Sequence, residues 1–88
     1  MSRLSVERDH LARADDDIAQ AERRITVQML RIDRLRQGEH DTREAEKLLT
    51  ALQRTLDTWN EHRTEIVREI ARLEHLNPVY ERVGEAGP

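Results

Sequence analysis

Cysteine is absent from this chain, which excludes a disulfide framework, a thiolate metal site and a thiol nucleophile, and fits a reducing compartment. Aromatic residues are nearly absent too, at 2%, so no row of rings is available to stack successive nucleic-acid bases. No apolar run approaches the roughly 20 residues that span a bilayer, and no membrane partner is expected. The opening Met1–Arg8 lacks the apolar core of a signal peptide, which makes the cytoplasm the expected location. There is no excess of basic charge either. The formal net charge is −3, whereas binding to phosphates wants a net basic surface or a clear basic face, so nucleic acid is not the expected partner. Glycine and proline are missing from the whole first half up to Gln37, and nothing there interrupts a helix.

What is present is periodicity. Leu4, Leu11, Ile18, Ile25 and Ile32 recur every seventh residue, with Ala14, Ala21 and Leu35 three positions on from three of them, a narrow a/d seam. In the second half Ala45, Leu49, Leu52, Leu56, Trp59, Ile66, Ile70 and Leu73 alternate spacings of four and three, interrupted only by Arg63. Charged residues make up 38% of the sequence, a composition that resembles disorder until the heptads are seen, after which coiled coil is the better class. The predicted fold is all-α: an antiparallel two-helix coiled-coil hairpin that dimerises into a four-helix bundle.

The stops and starts set the organisation. One hairpin occupies about residues 1–77, with helix 1 over about 3–37, a turn at about 38–41 and helix 2 over about 42–76. Ser2 or Ser5 caps helix 1. Gly38 is expected to take the left-handed conformation that ends it. Asp41 and Glu44 have the spacing of a capping box at the start of helix 2, and Asn77-Pro78 is expected to stop it, leaving about 78–88 as a flexible tail. Each helix 1 would be a rod of roughly 50 Å. A single continuous helix bridging Gly38, paired in parallel with a copy of itself, is the structural alternative.

With the turn near Gly38 to His40, facing residues have position numbers adding to about 79 to 82, and antiparallel helices set g against g and e against e. His10 then falls near Glu69, Asp17 near His62, Arg8 near Glu74 and Arg36 near Glu46, all of opposite or compatible charge. Such pairs select register more than they add stability.

Candidate chemistry is sparse. Glu7-x-x-His10 has the spacing used by carboxylate-bridged di-iron bundles, but helix 2 offers no second copy, so no metal or other cofactor is expected. The run Asp15-Asp16-Asp17 fans around the helix and cannot converge on one ion, which reads as a solvated face. His62 has no serine or cysteine nucleophile at a compatible spacing, so no enzyme is expected. Arg63, Glu7 and Gln28 are polar residues at seam positions, the usual device for fixing register or oligomeric state, with Asp15, Asp17 or Glu22 as partners for Arg63.

Association is the better-supported theme. Val27, Met29, Leu30 and Leu48 widen the apolar surface near the hairpin tip, beyond what a two-helix seam covers. With Trp59 and Arg63 they form the predicted interface of a homodimer. Helix 1 is also polarised, acidic from Glu7 to Glu22 and basic from Arg23 to Arg36, so two copies packed antiparallel would set opposite charges together. An unidentified protein could occupy the same surface. The remaining alternative is a small transcriptional or antitoxin-like regulator whose arginine-rich segment contacts nucleic acid.

The segments Leu11-Ala-Arg-Ala14, Ala21-Glu-Arg-Arg-Ile25, Gly38-Glu-His-Asp-Thr42, Ala45-Glu-Lys-Leu-Leu49 and Glu61-His-Arg63 resemble those of short bacterial helical-hairpin proteins of unknown function. In these a Gly-x-Asp-Thr turn joins two charged amphipathic helices; here one extra residue separates Gly38 from Asp41. The resemblance spans most of the chain and implies a small cytoplasmic protein. It transfers no catalytic residue.

Overall fold

The computed structural model describes the backbone of residues 2–86 and the side chains of residues 2–76. Two helices, α1 (Arg3–Gln37) and α2 (Arg43–Ala86), fold back on each other in an antiparallel hairpin. The continuous-helix alternative is thereby removed.

Each end of α1 has its own fastening. Ser2 caps α1, its Oγ accepting from the Ser5 N–H at 3.0 Å, which satisfies one of the donors that the first turn leaves free. At the other end the His40 N–H donates to the Leu35 carbonyl at 2.8 Å and the Glu39 N–H to the Arg36 carbonyl at 3.0 Å. This crossed pair is a Schellman motif. Gly38, expected to be its left-handed residue, sits instead at φ −86°, and Glu39 takes the left-handed place at φ 59°. The motif has slid one residue because Gly38 still donates an α-helical bond to the Arg34 carbonyl at 3.1 Å, carrying the helix one step further.

The start of α2 also departs from expectation. Thr42 is the capping position, its carbonyl accepting from Glu46 at 2.8 Å, so Asp41 lies one residue too early for a capping box with Glu44. Asp41 Oδ1 accepts from the Arg43 backbone N–H at 3.0 Å, while the Arg43 guanidinium grips both carboxylate oxygens. These hydrogen bonds hold the Asp41 carboxyl below its ordinary range and raise Arg43. Glu44 turns to Lys47 instead, at 3.2 Å.

At its far end α2 passes Asn77-Pro78, the predicted stop, and continues to Ala86. Proline within a helix forfeits one backbone bond, here the one to the Glu74 carbonyl, at a cost of about 3 kcal/mol, and one lost bond need not end the element. The segment expected to be a loose tail therefore overlaps α2 through Ala86, while Gly87 and Pro88 lie outside the described residues.

The core is a line. Ala14, Ile66 and Ile70 are buried together, with Leu4 and Leu11 packed against them, which fits the predicted register. Towards the turn Ile32 and Gln28 are buried as well. The particle measures 76 × 16 × 14 Å with a radius of gyration of 20.7 Å, against about 12 Å for a compact domain of this length. Its accessible surface is 7155 Å², where a compact monomer of this size would show about 5,400 Å². Much of both apolar stripes is left half exposed.

The turn chemistry gives a direct test. Glu39→Gly relieves the side-chain crowding of the left-handed conformation and is expected to raise stability by about 1 kcal/mol. Gly38→Ala fits its φ, and the added Cβ would meet closely only the His40 side chain, at 2.8 Å, with the Arg34 carbonyl at an ordinary 3.6 Å, so a change within about 0.5 kcal/mol is expected once that ring turns aside. Urea unfolding followed by circular dichroism at fixed protein concentration measures both; destabilisation by Glu39→Gly would contradict the assignment.

Candidate association surface

An antiparallel pair has two flanks, one built from the d and g positions of both helices and the other from the a and e positions. The candidate residues divide between them. Val27 and Leu48 share one groove with Gln20, Arg24 and Leu52. Met29 lies on the opposite flank beside Thr26, Asp33 and Arg36, and Leu30 stands on the outer ridge and touches grooves on both sides. The tip patch is therefore a collar rather than a single face. Its members are 64% (Val27), 55% (Met29), 56% (Leu30) and 47% (Leu48) exposed.

Trp59 is half-buried and belongs to the Val27 flank, where it walls two further grooves with Asp17. Its ring meets His62 edge-on at 6.0 Å between centroids. Arg63 leaves the seam for the other flank, its Nε donating to Asp15 Oδ1 at 2.6 Å, one of the partners predicted for it. Both groups are about half exposed, so this ion pair orients the helices and adds little stability. It is also engaged inside the chain.

Gln28 is the polar group the packing treats most strictly. It is 5% exposed, and its Nε2 donates to the Ala45 carbonyl at 2.8 Å, tying the middle of α1's basic half to the first turn of α2. A buried amide that finds one acceptor at one level penalises a slipped register.

Of the predicted charge pairs Arg36–Glu46 is present at 2.7 Å. Glu69 does not meet His10. It pairs with Arg72 one turn on, whose Nε donates to Oε2 at 3.0 Å, and lies 3.7 Å from Arg3. A guanidinium on the same helix, with its planar fork of donors, is a stronger and less costly partner than an imidazole across the seam. The Glu69 carboxyl is lowered mainly by that Arg72 hydrogen bond, and Arg72 is raised in return. His10 is left with Glu7, 3.6 Å away. Asp17 and His62 line the same groove without an ion pair, and Arg8 and Glu74 do not pair among the described residues.

Eight arginines have no carboxylate partner among the described residues, and four of them, Arg23, Arg24, Arg31 and Arg34, lie together in the basic half of α1. Their lack of partners was not readable from composition, because helix 2 carries enough acid to neutralise them; only the register shows that it lies elsewhere. Among the described residues no group of three or more His, Asp or Glu side chains converges as a metal site would require, and no helix is long and apolar enough to cross a membrane. No family model, curated protein or solved structure matches the chain.

Gln28→Leu measures what the buried amide does. The Ala45 carbonyl keeps its place in the helix, so losing the side-chain donor is cheap, and an apolar seam residue is expected to stabilise the hairpin by about 1 kcal/mol. A raised thermal midpoint at matched concentration is the predicted reading, and a fall of similar size would show the hydrogen bond to be a net stabiliser.

Proposed function

We propose that this chain is a noncatalytic assembly module, a helical hairpin that homodimerises into an antiparallel four-helix bundle in the cytoplasm. The observation that carries the reading is the mismatch between apolar surface and cover: a thin two-helix layer leaves Val27, Met29, Leu30 and Leu48 about half exposed or more. The excess over a compact monomer is about 1,700 Å² per chain, about twice the roughly 800 Å² that each partner buries in a standard interface. The same shortage of self-burial makes an isolated hairpin of this size a marginal fold. The proposed interface draws on Val27, Met29, Leu30, Leu48, Trp59 and Arg63. A different protein bearing an amphipathic helix is the other occupant of the same kind. The turn and heptads support kinship with the short bacterial hairpin proteins they resemble.

The unpaired arginines in the basic half of α1 favour one further reading, a small transcriptional or antitoxin-like regulator that sets Arg23, Arg24, Arg31 and Arg34 against phosphates. Duplex binding that weakens steeply with salt would support it, and no binding to duplex DNA or RNA at low salt would remove it.

Sedimentation equilibrium across a concentration series is expected to give twice the chain mass. Val27→Glu/Met29→Glu places a carboxylate on each flank of the tip and is expected to raise the dissociation constant at least tenfold, about 1.4 kcal/mol. Helix content should survive at high concentration. A wild-type monomer at every concentration would overturn the proposal.

A further inference from the structure

Four grooves share lining residues along a single flank. The first is bordered by His10, Ala14, Asp17, Trp59 and His62, and Asp17 and Trp59 pass into the second. That one continues through Gln20, Arg24 and Leu52 into a third of about 550 Å³, which Val27 connects to a fourth ending at Arg34 and His40. Together they make a channel about 36 Å long on α1. Among the described residues a separate groove near the tip lies on the opposite flank. The asymmetry has a sequence cause. The d positions of both helices face the channel side, and α1 fills three of them with Ala14, Ala21 and Gln28 while α2 answers with Leu52 and Trp59. The two alanines sink the floor, and Leu52 and Trp59 stand up as its wall.

We infer that this flank, and not the one bearing Met29 and Arg63, is where a second copy of the chain docks, antiparallel, about a two-fold axis at the level of Gln20, Ala21 and Trp59. This rests on the homodimer proposed above, adds its face, direction and register, and takes Met29 and Arg63 out of the interface. Charge and volume select that register. Asp17 and Arg24 occupy the same heptad position one repeat apart, and neither has an ion-pair partner among the described residues. An axis midway between them sets each Asp17 opposite the other copy's Arg24, twice over. The same axis sets the unpaired Arg34 opposite Glu7 and the exposed Val27 opposite Ala14. Arg31 falls opposite His10. A two-fold axis in the interface plane makes every favourable contact occur twice. A parallel arrangement would set Arg24 against Arg24 and Arg31 against Arg31, which like-charge repulsion opposes. On the Met29 flank four of the charged groups, Arg63, Asp15, Arg36 and Glu46, are already paired within the chain.

The chain has no cysteine, so single thiols report cleanly. Gln20→Cys, beside the proposed axis, is expected to be joined to its mate by a short thiol-reactive cross-linker in most of the dimer. Asn60→Cys, exposed at a similar level on the opposite flank, is expected not to be. Asp17→Arg and Arg24→Asp should each raise the dissociation constant about tenfold, and the double exchange should recover most of the loss. Val27→Glu should dissociate the dimer and Met29→Glu should not. Cross-linking at Asn60→Cys instead of Gln20→Cys, or singles that do not rescue each other, would overturn this face and register while leaving the homodimer standing. A chain that stays monomeric would overturn both.

Discussion

Two helices can bury apolar side chains only along the line where they touch, and every other property of this molecule depends on that constraint. Three or four helices enclose a core. Two make a seam with water on both sides, so the a and d residues that would be fully covered in a bundle are only half covered here. Ala14 and Ile66 are buried because both backbones approach closely at a small residue, whereas Trp59 and Leu52 at equivalent positions remain partly wet. Residual exposure along the channel flank is thus a geometric consequence of having two rods, and it is the driving force on which the proposed dimer would draw.

A seam one residue wide must also be told where to lie. Hydrophobic contacts along a repeating stripe are nearly the same after a slip of seven, so the discrimination comes from polar groups. The Schellman turn and the Asp41–Arg43 clamp fix the phase at the tip. Gln28 on the Ala45 carbonyl and Asp15 on Arg63 then fix it along the rods. Each contributes modestly by itself; together they give one register at little cost to solubility.

How much of this could be read from the sequence follows from which interactions are local. Heptads, the break at Gly38 and the Arg36–Glu46 pair were legible because periodicity and a tight turn determine them. The one-residue slide that placed Glu39 rather than Gly38 in the left-handed conformation was not, since it depends on whether α1 takes one more backbone bond. Glu69 chose Arg72 over His10 because a same-helix guanidinium competes with any cross-seam partner, and charge pairing across a register ignores that competition. The tip patch read as one surface because Val27, Met29 and Leu30 are adjacent in sequence; on a helix, neighbours in sequence point about 100° apart, and the structure assigns them to different flanks. Unpaired arginines become visible only once every acidic side chain has been given its place.

The central claim is that the hairpin's uncovered flank is completed side by side by an antiparallel copy. Small-angle X-ray scattering over a concentration series tests it most directly, because mass and length respond differently. The account predicts a scattering mass of two chains with a maximum dimension close to the 76 Å of one hairpin and a thickened cross-section. A single-chain mass, or a doubled mass with nearly doubled length from end-to-end contact, would contradict it.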